Sequence, residues 1–334
     1  SAEVTEMIYV DMSYGGGGSD GSVLKPYTNL ATTLTTYLAN ANTTTYVFKV
    51  MPGLYTVGNV VISKSSKNQS FSIIGSGIEN TIVEVHTSST TGLNSDCFYF
   101  TRFKNIELKS FTIRKAKYGF RPKICDKVVI RDMKFLYCGS TGQENRHDFS
   151  STQAQQATHW AQQIWFTDGG AMRIEDTFEV KIYDSEVRYC LRGMRIQNSG
   201  SSLTNSIVTG NKIYRTAEAG IYLASGNYNG NVGCKNFTIS NNVIMEAFNN
   251  GILCIGNQGY NSSTNSSSQT TIKDNIIQRS ANSGIMCWHC LDTKVINNTL
   301  VDCNSKSYNG IGSSPADAYA QITFDGNTSI SSTG

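Results

Sequence analysis

Charge is sparse in this 334-residue chain, where Asp, Glu, Lys and Arg together make up 16% and the formal net charge is +3. With no basic run and no basic–aromatic RNA motif, that balance excludes a nucleic-acid binder held by bulk charge. Apolar runs are short: no stretch approaches the roughly 18 residues that a membrane-spanning helix needs. The first residues carry no signal-peptide pattern. Proline is scarcer still, with 4 residues against 30 glycines, and Ser, Thr and Asn are abundant. This composition describes strands and turns rather than helices or disorder. Cysteine, by contrast, is plentiful: the 9 residues are an odd number, so at least one thiol cannot pair within the chain. Most of them fall at positions that read as inward packing sites, which favours synthesis in a reducing compartment.

Internal repeats decide the fold class. One segment places an apolar residue, two polar ones, often Asn, and a second apolar residue two further on. It recurs at 108–113, 130–135, 182–187, 208–213, 239–244, 272–277 and 295–300. A second segment is a small residue followed by alternation: Ala171-Met172-Arg173-Ile174, Gly193-Met194-Arg195-Ile196, Gly220-Ile221-Tyr222-Leu223, Gly251-Ile252-Leu253-Cys254 and Gly284-Ile285-Met286-Cys287. Successive anchors of the second segment lie 22, 27, 31 and 33 residues apart, and those of the first, from Ile182 to Phe324, lie 26, 31, 33, 23 and 29 apart. Two markers drifting together with a period of roughly 20–35 residues are the signature of a β-solenoid. Length would suggest two domains, but an elongated β fold carries it as one.

The columns of the alignment agree with that reading. Asn211, Asn242, Asn275, Asn298 and Asn327 fall one per coil, where stacked amides can bond along the axis and tolerate a left-handed turn. Cys138, Cys190, Thr216, Ala247, Ser280 and Cys303 form a column of small residues suited to a tight interior. Cys254 and Cys287 fall in the inward column of the second segment. The spacing Cys287-Trp288-His289-Cys290 reads as packing, because a lone pair on a solenoid strand lacks two further zinc ligands. An outward column, Tyr137, Tyr189, Arg215, Glu246, Arg279 and Asp302, alternates in sign and reads as a salt-bridge ladder.

The opening of the chain is Tyr9-Val10-Asp11, then Gly18-Ser19-Asp20-Gly21, Lys25-Pro26-Tyr27 and Val50-Met51-Pro52-Gly53-Leu54-Tyr55. Together with the repeats over roughly 45–330, it resembles the right-handed parallel β-helix proteins of the pectate-lyase-like superfamily. That resemblance implies an all-β right-handed parallel β-helix over 46–334, preceded by a 1–45 cap whose amphipathic helix closes the first coil. Leu30, Leu34, Tyr37 and Leu38 have the spacing of such a helix. The superfamily includes lyases, hydrolases, epimerases, phage tailspikes and non-enzymatic adhesins, so the resemblance specifies fold more than function. Arg121-Pro122-Lys123 echoes the Arg-x-Pro pattern of the lyases in part, and nothing matches their calcium-binding aspartate sets. No cofactor or resident metal is therefore expected, with calcium the one ion that the resemblance brings to mind.

Two interruptions of the repeat point to function. The chain spends 35 residues between Phe135 and Ala171, so 139–168 is an insertion holding His147, Asp148, His159, Trp160 and Asp168. Long insertions on a rigid scaffold are often binding or catalytic loops. Two shorter excursions, 225–233 and 256–268, read as exposed loops without chemistry. In the second segment the third position faces outward, and that column reads Arg121, Arg173, Arg195, Tyr222, Leu253 and Met286. Glu175 is the acid of the neighbouring row, between Lys123 and Gln197. Stacked arginines running into a tyrosine suit a polyanionic sugar chain, unless acids from the insertion neutralise them.

The sequence therefore predicts a polysaccharide-active protein. Lyase chemistry would use Arg173 and Arg195 against a uronate carboxylate, with His147, His159 or Tyr189 as acid or base. Hydrolysis would pair Glu175 with Asp148 or Asp168. Substrate contacts are expected from Arg121, Lys123, Arg173, Tyr189, Tyr222 and Trp160. The alternative is a non-catalytic glycan-binding adhesin or tail protein. An extracellular or virion location is expected, as for a tailspike depolymerase, with cytoplasmic synthesis in reduced form. The chain stops at Gly334 soon after a strand-like 322–324, which suggests a fragment or an end covered by homotrimer partners.

Overall fold

The computed structural model describes residues 4–85, 94–139, 169–198, 205–225, 234, 236–247, 249–255, 269–280, 282–288, 290–303, 321–325 and 329–333. The insertion 139–168 and both excursions lie almost wholly outside these residues. Each turn of the chain lays one strand into each of three parallel sheets, of eleven, nine and nine strands among the described residues. The fold is a right-handed parallel β-helix. We call the eleven-stranded sheet the first, that from Gly53–Thr56 to Thr299–Val301 the second, and that from Val60–Ser63 to Ile322–Asp325 the third.

The two recurring segments have distinct places in a coil. The first is the corner between the first and second sheets. Ile182 lies in Glu179–Tyr183 and Val187 in Glu186–Cys190, and both are fully buried. At that corner Asp132, Asp184, Gly210, Asn241, Asp274 and Asn297 take φ values between 45° and 70°. The left-handed residue is thus the one before each ladder asparagine rather than the ladder asparagine itself. Asp, Asn and Gly tolerate this conformation, and the bend turns the next side chain into the core.

There the asparagines bond as the sequence suggested. Asn211, Asn242 and Asn275 each donate from Nδ2 to Oδ1 of the asparagine one coil on, at 2.9 Å in all three cases. Each receiving Oδ1 also accepts the backbone N–H of the donor asparagine, at 3.0 Å. Second amide protons reach the carbonyls of Ile182, Val208 and Ile239. Ser185 N–H donates to Asn211 Oδ1 at 2.9 Å and begins the ladder. Asn327 lies outside the described residues. The strand Ile322–Asp325 belongs to the third sheet, where Phe324 pairs with Cys287, so Phe324 does not continue the series from Val295. Both Phe324 and Val295 follow an apolar alternation, which is why spacing alone misplaced the last coil.

The second segment forms the strands of the third sheet. Its initial small residue is a close-approach position: a Cβ on Gly251 would lie 2.4 Å from Ile277 Cγ2 and 2.7 Å from the Gly284 carbonyl oxygen. The interior is filled by Phe98, Phe100, Phe103, Phe111, Phe120 and Phe135 in the early coils and largely by Ile, Val and Cys later. All nine cysteines are free and buried. The helix Leu30–Leu38 packs against the first coils with Leu30, Leu34 and Leu38 buried. Asn29 caps its N-terminus by accepting from Thr32 N–H at 2.9 Å. At its other end the buried Lys64 Nζ donates to the Leu38 carbonyl at 2.9 Å and also to that of Asn40.

Candidate functional site

Alternation decides which residues of the third sheet face out. Phe120, Met172, Ile174, Met194, Ile196, Ile221 and Leu223 are buried, so the residues between them project outward. Strand register then lines these up along the axis. Tyr99 pairs with Arg121, Arg173 with Arg195, and Arg195 with Tyr222. Phe120 opposite Met172 sets Arg121 beside Arg173. Five successive coils therefore present Tyr99, Arg121, Arg173, Arg195 and Tyr222 in one row, about 4.8 Å apart at the backbone. Two residues further along each strand, a second row contains Lys123, Glu175, Gln197 and Ala224.

The cations of this face are not equivalent. Glu175 is buried and holds two guanidiniums: Arg121 Nε donates to Oε2 at 3.0 Å, and Arg173 Nη2 lies 3.1 Å from Oε1. Arg121 also reaches Asp96 Oδ2 at 3.5 Å and lies over the Tyr99 ring at 4.8 Å. Burial pulls the Arg121 pKa down, but the bond and charge of Glu175, aided by Asp96, hold it above its ordinary value. Arg195 has a different setting. Its Nη2 donates to the neutral Gln197 Oε1 at 3.0 Å, its guanidinium lies 5.3 Å from the Tyr222 ring centre, and its buried Nε has no hydrogen-bond partner. Among the described residues neither Arg195 nor Lys123 forms an ion pair.

Six residues singled out from sequence, Arg121, Lys123, Arg173, Glu175, Arg195 and Tyr222, are thus brought together. His147, Asp148, His159 and Trp160, with Asp168, lie outside the described residues. Tyr189 sits elsewhere, at the end of a second-sheet strand, stacked on Tyr137 at 5.4 Å and edge-on to Tyr214 at 5.7 Å. In the same column Glu246 bonds Arg215 at 2.6 Å and Arg279 at 2.9 Å, forming the expected charge ladder. The outward row does not stay solvent-facing. Leu253 is buried with Ala219 and Ile255 in a small apolar cluster outside the main core, against Tyr222, Met286 and Trp288.

Sequence reasoning missed Asp96, Tyr99 and the pair Arg192–Glu218, whose arginine also donates to the Tyr118 hydroxyl at 3.4 Å. Tyr99 was within reach, since it continues the arginine column one coil upstream. Asp96 precedes its strand and belongs to no periodic column. The ends of the insertion are held side by side: Gly139 and Gly170 N–H groups donate to the Ala116 and Lys117 carbonyls, both at 2.8 Å. Those carbonyls directly precede the strand Tyr118–Lys123, which carries Arg121 and Lys123.

No family model matches the chain, and no curated protein matches it. Solved structures do. The A-module of a mannuronan C-5 epimerase from Azotobacter vinelandii aligns at 11% identity over 86% of this chain and 78% of its own, with a TM-score of 0.45. The pectin methylesterase PemA from Erwinia chrysanthemi aligns at 13% identity over 97% and 89%, with a TM-score of 0.41. A GH87 α-1,3-glucanase catalytic unit from Streptomyces thermodiastaticus aligns at 10% identity over 99% and 69%, with a TM-score of 0.28. At scores below 0.5, what those proteins act on says nothing about this one.

Proposed function

We propose that this protein acts on an acidic, uronate-containing polysaccharide held lengthwise along the outer face of the third sheet. The observation that supports this reading is Arg195. A guanidinium with a buried, partnerless Nε, no carboxylate among the described residues and an aromatic ring beneath it is prepared for an anion. A sugar carboxylate would complete it, and the Tyr222 ring offers an apolar surface to the adjoining sugar. Bond cleavage by lyase or hydrolase chemistry would draw on His147, Asp148 or His159 from the insertion rooted beside this face. On this reading the protein works outside the cell, secreted or on a virion.

A non-catalytic reading, a glycan-binding adhesin or tail protein, is favoured by one feature: Asp96 and Glu175, the carboxylates seen to contact the arginine row among the described residues, are both engaged by arginine. Incubation with a panel of acidic polysaccharides separates the readings. Ultraviolet absorbance of an unsaturated uronate together with new reducing ends identifies a lyase. Reducing ends alone identify a hydrolase, and saturable binding with neither identifies an adhesin. Failure of every acidic polysaccharide to bind overturns the proposal.

A further inference from the structure

The arrangement of open and closed cations along the face specifies how the acid groups of the ligand are spaced. Arg121 and Arg173 are matched by Asp96 and Glu175, two guanidiniums to two carboxylates. What remains among the described residues is Lys123 on the strand Tyr118–Lys123 and Arg195 on Met194–Asn198. The strand between them, Gly170–Glu175, contributes Arg173 and Glu175, which neutralise each other. The open cations are therefore two coils apart, about 10 Å along the axis, and two residues apart across it, about 12 Å in all at the backbone, with a neutral coil between them. An extended hexopyranose chain advances by close to one coil spacing per sugar.

Resting on the functional reading above, we propose that the face selects an acidic polysaccharide whose carboxylates fall on alternate sugars, an acid–neutral disaccharide repeat, over a homopolymer of uronate. Two acids of such a chain meet Lys123 and Arg195, and the neutral sugar between them meets the Arg173–Glu175 pair with its hydroxyls. A homopolyuronate would set a third carboxylate beside Glu175, which is already buried and committed to two arginines. That like-charge contact discriminates against the homopolymer.

Calorimetric titration of the full chain with hyaluronan oligosaccharides, in which glucuronate alternates with N-acetylglucosamine, and with oligogalacturonate of equal length tests the inference. The expected result is at least about tenfold tighter binding of the alternating chain, and at least about tenfold loss of that binding in Lys123→Ala and in Arg195→Ala. Glu175→Gln removes the negative charge of the middle coil and should tighten oligogalacturonate binding about tenfold. Thermal melting of Glu175→Gln checks that it folds. If it does not, Lys123→Ala and Arg195→Ala carry the test, because each must cost the alternating chain at least about tenfold in affinity. Equal binding, or preference for oligogalacturonate, overturns the inference and leaves the functional reading standing. Binding of neither these two nor any other acidic polysaccharide overturns both.

Discussion

Arg195 and Glu175 occupy adjacent strands of one face, yet their replacement should have opposite consequences. Among the described residues Arg195 has only a neutral hydrogen-bond partner and a ring beneath it, and its register neighbour is another arginine. Arg195→Ala should change folding stability by less than about 1 kcal/mol. It should weaken acidic-glycan binding by about ten- to a hundredfold, the value of a charge-assisted contact. Unchanged binding with lost stability would make the arginines structural. Glu175→Ala strands two guanidiniums and should cost about 2 kcal/mol in urea denaturation. That is below the 3–5 kcal/mol of fully buried pairs because the Arg121 and Arg173 side chains keep 21% and 18% of their exposure. The arginine column was legible because periodicity marks which residues share a face. Its neutralisation was not, because Asp96 comes from a connection that obeys no period, and because one carboxylate can serve two coils at once.

The thiols give a second test at this scale. Burial raises the pKa of Cys97, Cys190 and Cys234 and pushes that of Cys125 up to about 12. Since thiolate is the reactive form, iodoacetamide at pH 8 should leave all nine cysteines unlabelled in the native protein and label all nine after denaturation. Rapid native labelling of Cys254 and Cys287 would reverse the inward assignment of the third-sheet strands.

At the scale of the element, the corners are the most constrained part of a coil. Asn275→Ala removes the acceptor of both the Asn242 N–H and the Asn242 Nδ2, and leaves the Ile239 carbonyl without its side-chain donor. These groups are buried from water, so a loss of about 3 kcal/mol is expected, read as a lower urea midpoint with an unchanged slope. Asn298→Ala, at a half-exposed position that ends the described ladder, should cost less. Gly251→Ala tests the other corner: the added methyl meets Ile277 and the Gly284 carbonyl, and a loss of about 1–3 kcal/mol is expected. Both corners were visible in the sequence as columns of one residue type. The offset of the left-handed residue was not, because Asp, Asn and Gly precede Asn in a region where all of them favour turns. The last coil was misread for the reason that makes any solenoid ambiguous: strands of different sheets share the same alternation.

At the scale of the molecule, the third-sheet face carries Lys123 and Arg195 without an ion pair among the described residues, whereas second-sheet charges are paired in Arg114–Glu84 and Arg215–Glu246–Arg279. Glycan binding should therefore weaken steeply between 0.1 M and 1 M NaCl, as the screening length falls from about 10 Å to about 3 Å. Salt-independent binding, measured in the same titration, would shift the contact to the tyrosines. Because each coil touches only its neighbours, the fold class could be read from period alone, whereas the chemistry depended on pairs of residues that the period does not relate.

The asparagine ladder also has a polarity. Every bond from one rung to the next is donated by the earlier coil and accepted by the later one, beginning with the Ser185 N–H and passing through Asn211, Asn242 and Asn275 to Asn298. All strands of the three sheets share that sense. The two ends of the ladder are therefore unlike: it opens on a backbone N–H at Ser185 and closes, among the described residues, on a side-chain amide oxygen at Asn298. Loss of a middle rung therefore interrupts the run in both directions, whereas loss of Asn298 removes one acceptor and leaves the earlier rungs intact.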